Sequence, residues 1–345
     1  MSGERTPADA GMGGPPRWLG PLLVVVVAAA AVVAYRATRQ PAPGPAVGPV
    51  ATSAPVVTAY AERTGAGFAT GLEQVHGFAI APDGRVAVAG ADGVALFAAD
   101  GTAVGRLADG ATAYAVAWGP GDEVLAVAGR DRLRLFSPDG SELQAWSPPR
   151  ERVFLTGVAV GPESLYVADD GNHPHGVIWR LDHALRLRGS FGERDGTYRG
   201  LKVSSTDPRH FLDLAVDPRN GQVLVANMGR FTIERFSPDG SLLHAFGTAA
   251  GRDPQADPAA FVGCCNPIAI AVAADGSVFT SEKGVGYARV KRLSEVGEFR
   301  GFVAAAEDFA GAKIGAVDVA CLADGRVAVL DYDRRRVRYF ERKET

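Results

Sequence analysis

From His76 to its last residues the chain repeats one pattern six times. The unit is an alternating apolar strand, a turn usually marked by Asp-Gly, a second apolar strand, a polar loop, a third strand, a second turn and a fourth strand. The first copy reads HGFAIAPDGRVAVAGADGVALFAADGTAVGRL; the others open at Tyr114, Thr156, Leu212, Ile268 and Val317, and the sixth stops one strand short. Four short antiparallel strands cannot bury both faces alone. Packing several such sheets about an axis buries them, and closing the ring removes the exposed end. The repeat therefore predicts an all-β fold, a six-bladed β-propeller over residues 55–345. Val56-Val57-Thr58-Ala59-Tyr60 alternates like a strand and can replace the missing strand, so the last blade is expected to be closed by N-terminal strand 56–60. Seven blades are the alternative, should residues 60–75 or the long inter-blade segments hold further strands.

At 345 residues and 47% hydrophobic content the chain can bury a large core. A charged content of 22% and a net charge of −3 leave no basic stripe for phosphate neutralisation, which excludes nucleic acid as an expected partner. Three cysteines are too few for a disulfide framework, and the odd number leaves at least one without an intramolecular partner.

Upstream of the repeats lie three different segments. Residues 1–17 form a short tail. Residues 18–35, WLGPLLVVVVAAAAVVAY, carry no charge and are flanked by Arg17, Arg36 and Arg39. As a helix they would span about 27 Å, close to a bilayer core, with Trp18 and Tyr35 at headgroup level. A single transmembrane anchor is expected; a signal peptide cleaved after Val32-Val33-Ala34 is the alternative, although the apolar run is long for one. Residues 36–54 alternate Pro with small residues and read as a flexible, semi-extended linker reaching at most about 60 Å. The repeats are then expected outside the cytoplasm, in a periplasmic or equivalent compartment, tethered to the membrane.

The repeat units carry Gly157-Val158-Ala159-Val160, Tyr166-Val167-Ala168-Asp169 and Phe236-Ser237-Pro238-Asp239-Gly240. These resemble the NHL-repeat family of six-bladed propellers over residues 76–342, and Gly263-Cys264-Cys265-Asn266-Pro267 resembles a bacterial subset of it. The resemblance implies the fold and leaves function open, since such propellers serve as binding modules, scaffolds and a few enzymes. Family members that are peptidylamidoglycolate lyases hold zinc on three channel histidines. The corresponding starts of the innermost strands here are His76, Tyr114, Thr156, Leu212, Ile268 and Val317, which supply one. Lactonase-like propellers use an acidic calcium cluster; Asp213 and Asp318 adjoin the right positions, but alternation is expected to turn them away. Asp83, Asp100, Asp139, Asp239 and Asp275 read as turn residues.

Propeller topology places the connections after the first and third strands on one face, and those after the second strand and between blades on the other. The first set is tight throughout. The second holds every long insertion: residues 170–175, 192–210, 248–266 and 304–315. Binding is expected on this long-loop face, with a protein or small molecule as ligand. His76, Tyr114, Asp170, Asn227, Arg230, Glu282, Lys283 and Asp331 fall on it as candidate ligand-binding residues, either as an exposed polar rim or as a ring of charge about the channel mouth. Cys264, Cys265, His173, His175 and His210 fall there too, a donor set that would suit copper or zinc. The adjacent cysteines also read as two buried thiols in a tight loop, or as a strained and easily reduced disulfide. A tethered binding or scaffold module is thus the expectation, with a metal-carrying or thiol-redox protein as alternative and a hydrolase or lyase behind both. Walker, G-x-S-x-G and H-E-x-x-H motifs are absent.

Overall fold

A computed structural model describes residues 58–343 except 109, 120–124, 138, 173–174, 196, 203–211, 252–256 and 264. Residues 18–35 and 36–54 lie outside the described residues, and among the described ones no helix is long and apolar enough to cross a membrane. The described chain forms six antiparallel sheets, the blades of a propeller. Their innermost strands are Val75–Ile80, Ala115–Trp118, Leu155–Val160, Asp213–Val216, Ala269–Val272 and Val317–Cys321. Each contacts the next, and the sixth contacts the first, so the ring closes.

Strand position decides which sequence pattern each strand can carry. Second strands such as Val86–Gly90, Val223–Asn227, Val278–Glu282 and Val327–Asp331 are buried at every residue, because a neighbouring blade covers each face. Outermost strands such as Ala103–Leu107, Leu187–Phe191 and Leu242–Phe246 are exposed except at their last residue. The core is accordingly divided into six apolar slabs, one between each pair of adjacent blades. In the slab between blades six and one, Val337 and Tyr339 meet Val75, Val88 and Phe97. This contact joins the two ends of the ring through about 25 cal/mol per Å² of buried apolar surface.

Blade six is completed by the chain's N-terminal part, in a strand that shares Tyr60 with the expected 56–60 and runs two residues beyond it. Tyr60–Glu62 pairs antiparallel with Arg336–Arg342, and Phe68–Ala69 pairs with the same strand further along. Residues 56 and 57 lie outside the described residues, while Thr58 bridges to Phe302 of blade five. Side chains fix the register: Tyr60 is buried edge-on to Phe279, and Glu62 takes both Arg338 donors at 2.9 and 2.6 Å. The Asp-Gly turns behave as their sequence dictates. The Asp83, Asp100, Asp139, Asp239 and Asp275 carboxylates each accept the backbone N–H two residues on, and Gly84 supplies the positive φ of +91° that a side chain would resist.

Candidate functional site

An edge strand in a sheet leaves every second N–H and C=O without a ladder partner. Six innermost strands present such edges to the propeller axis, and the unpaired groups need acceptors. Side chains of the adjoining blade supply several. The Ile270 N–H donates to Asp213 Oδ2 at 2.8 Å, and the Phe78 N–H to Asp318 Oδ2 at 3.1 Å, joining blades five and four, and one and six. The Thr156 hydroxyl donates to the Leu212 carbonyl, the Ser281 hydroxyl to that of Val317, and His76 Nδ1–H to that of Ala113. The strands are thereby linked around most of the axis.

At the long-loop end of the axis lies a cavity of about 100 Å³, walled by His76, Tyr114, Thr156, Asp213, Asp318 and Tyr332 among others. A volume of that order accommodates a few waters or one small ligand group. The His76 and Tyr114 rings stack, 5.1 Å between centroids and 14° between planes. The Tyr332 hydroxyl donates to the His76 carbonyl at 2.5 Å. Small residues leave the space: a Cβ on Gly77 would sit 3.1 Å from the Tyr114 carbonyl oxygen and 3.5 Å from Asp318 Oδ2.

Two half-buried carboxyl groups share this cavity. Burial pushes Asp213 up to about 7, against hydrogen bonds from the Ile270 and Leu214 N–H groups that favour its charge. Asp318 is raised well above the usual carboxylate range by burial and then by the Asp213 charge. A charge on Asp213 opposes ionisation of Asp318, so the two carboxyls favour the protonated form more than free carboxyls do. Tyr332 is raised by burial and by both aspartates, and stays a neutral donor. Burial holds His76 below its ordinary value; with Nδ1–H on Ala113, its Nε2 keeps a lone pair.

Asp213 and Asp318 are the main departure from the sequence expectation, which turned them away from the axis. Alternation sorts side chains between the two faces of a sheet, whereas an innermost strand shows the axis its edge. Consecutive residues His76-Gly77-Phe78 and Ile268-Ala269-Ile270 therefore all wall the cavity. The fitting signal was the repeat alignment itself: the second position of the six strands reads Gly77, Ala115, Gly157, Asp213, Ala269 and Asp318, four small residues and two acids.

The other candidates scatter. His76 and Tyr114 wall the channel. Asn227, Glu282 and Asp331 lie neither on an exposed rim nor at the channel mouth, being almost wholly buried where second strands end. Two of them bind chain segments together, Asn227 Oδ1 accepting the Lys202 N–H and Glu282 Oε2 the Val262 N–H, while Asp331 Oδ1 accepts the Arg334 N–H within its own turn. Asp170 is also buried, and burial followed by the Asp169 charge pushes its carboxyl to about 7. The Arg230 guanidinium donates to the Arg199 and Gly200 carbonyls, pinning the connection between blades three and four. Lys283 and Cys265 line a separate cleft beside blade five.

His175 is exposed on blade three, bridged to Lys202. Cys264, His173 and His210 lie outside the described residues. Among the described residues no group of three or more His, Cys, Asp or Glu is placed to hold a metal ion.

No family model matches this sequence, and no curated protein matches it. Solved structures share its fold. One is a structural-genomics protein of unknown function from Bacteroides thetaiotaomicron, with a TM-score of 0.60 at 14% identity, covering 84% of this chain and 73% of that one. Another is a catalytically inactive virginiamycin B lyase from Staphylococcus aureus with quinupristin, with a TM-score of 0.51 at 14% identity, covering 77% and 80%. At such identity the likeness is one of fold.

Proposed function

We propose that this protein is an extracytoplasmic NHL-type propeller, tethered to a membrane by residues 18–35 through the 36–54 linker, that binds a ligand on its long-loop face at the mouth of the central channel. The ligand group that suits this mouth is a small organic cation. One observation carries the reading: the cavity combines two poorly solvated carboxyl groups, Asp213 and Asp318, with the stacked aromatic faces of His76 and Tyr114. A cation supplies the counter-charge that burial withholds from the carboxylates, and its alkyl groups gain from the ring faces.

The test uses the full chain in a non-ionic detergent and a panel of methylammonium, tetramethylammonium and methylguanidinium with neutral molecules of matching size. At pH 8 at least one cation is expected to raise the Tm of the wild-type protein by a few degrees, about what saturation at 100 times Kd gives. The Asp213→Asn/Asp318→Asn variant should lose the response. Equal shifts from the neutral molecules, a full response in the variant, or no response to any cation would sink the reading.

A further inference from the structure

Of the Gly263-Cys264-Cys265-Asn266-Pro267 motif, the described residues Gly263, Cys265, Asn266 and Pro267 do not line the channel. The segment around it forms one wall of a second cavity on the long-loop face, about 310 Å³, at the lower end of the range of small-molecule pockets. The other walls are the loop after the second strand of blade five and the connection from blade five to blade six.

All three walls are pinned by hydrogen bonds. The Asn266 amide donates to the Val262 and Lys283 carbonyls at 2.6 and 3.0 Å and accepts the Lys283 N–H at 2.8 Å. The Gly284 N–H donates to the Gly315 carbonyl at 3.0 Å. The Lys313, Ile314 and Gly315 N–H groups all donate to the Asp333 carboxylate, at 2.9, 3.0 and 2.7 Å. A cleft held this way keeps its shape without a ligand, which lowers the cost of binding one.

Its lining has a definite chemical character. Among the described residues of its lining, Lys283 and Lys313 carry charge and none is a carboxylate. The nearby Glu282 is wholly buried and ion-paired at 2.9 Å to Arg289 and 2.7 Å to Lys291, and Asp333 faces three backbone donors. Beside the lysines stand apolar side chains that solvent reaches: Tyr287 is 54% exposed and Ile314 36%, with Val285, at 62%, in the same loop. Isolated exposed apolar residues are ordinary, but three around one pinned, cationic cleft form a patch.

We infer that this cleft is a binding site for a small amphiphilic anion, a carboxylate-bearing molecule whose acidic head meets Lys283 and Lys313 and whose apolar body lies against Tyr287 and Ile314. Charge complementarity selects the head, and the buried apolar surface supplies most of the affinity. The inference is independent of the channel reading, since no residue is shared between the two linings.

Saturation-transfer NMR and titration on the full chain in a non-ionic detergent, with 3-phenylpropionate as probe and 3-phenylpropionamide as its uncharged counterpart, test it. The acid is expected to bind about tenfold more tightly than the amide, a difference of about 1.4 kcal/mol. Lys313→Glu should weaken the acid by at least about tenfold, and Tyr287→Ala should weaken acid and amide alike. Lys313 and Tyr287 are both exposed, so an unchanged melting curve is expected for each variant; Lys313→Gln is the milder replacement if the charge reversal perturbs folding. Asp213→Asn should leave the acid's affinity as it was. Equal binding of acid and amide, indifference to both Lys313 and Tyr287, or loss in Asp213→Asn would overturn the inference, the last by moving the ligand into the channel.

Discussion

Replacing Glu282 by Gln is expected to lower the unfolding free energy by about 3–5 kcal/mol and the Tm by roughly 10 °C. The carboxylate is wholly buried, and so is the Lys291 ammonium 2.7 Å away. Burial already drives Lys291 down to about 8 with Glu282 in place. Without it, the ammonium must stay charged in a poorly solvated core or release its proton, although the Ala259 and Ala260 carbonyls still accept from Nζ. The substitution also removes the paired charge of Arg289 and weakens the acceptor that holds the Val262 N–H at 2.6 Å. A double replacement, Glu282→Gln with Lys291→Met, should recover much of the loss, because methionine fills similar volume with no charge to solvate. Chemical denaturation of the single and double variants checks both statements. A single variant within 1 kcal/mol of wild type would show that the pair is not the buried ion pair described here.

The second large effect has the opposite sign. Asp213→Asn is expected to stabilise the protein at pH 8.5 by about 2–4 kcal/mol and to leave it unchanged near pH 4. Asp213 is raised to about 7 from an ordinary value of 3.8, so the folded protein holds a proton that the unfolded chain releases. The contribution of the protonated carboxyl is fully present below the unfolded pKa and is lost as pH rises through about 7. Above that, folding must bury the charge, and asparagine removes that cost while still offering an oxygen to the Ile270 N–H. The difference between the two proteins carries the test rather than the wild-type slope. His76, held low by burial, stabilises above its ordinary value and works against the aspartate as pH falls. Melting curves of both proteins from pH 4 to 8.5 should diverge steadily with rising pH; parallel curves would contradict the assignment.

The propeller was legible because its determinant is periodic. Six returns of one strand pattern leave few other ways to bury the apolar faces, and the solved structures of like fold bear out that architecture. The closing strand was legible in kind, but its end at Glu62 was not, since only the contacts of Tyr60 with Phe279 and Glu62 with Arg338 fix its register. Polar residues at the ends of second strands were misread for a different reason. Sequence position put Asn227, Glu282 and Asp331 beside loops, where polar groups are usually solvated; all three are buried, and incoming segments use Asn227 and Glu282 as acceptors while Asp331 caps its own turn. The channel pair was hidden by a rule applied to the wrong geometry, because strand alternation describes faces and the axis meets edges. The cleft beside Asn266 depends on three loops far apart in sequence, and no local pattern announces their convergence.

The central claim is that Asp213 and Asp318 are electrostatically linked carboxyl groups at the mouth of the channel. The most direct measurement is a carboxyl NMR titration of protein labelled with ¹³C at the aspartate side-chain carbonyl, the two signals being assigned by Asp213→Asn and Asp318→Asn. The account predicts two carbons that move together, with the Asp213 transition near pH 7, and a downward shift of the remaining group in either variant. Two independent transitions below pH 5 would contradict it, leaving ordinary ionised carboxylates and no site of unmet charge in the channel.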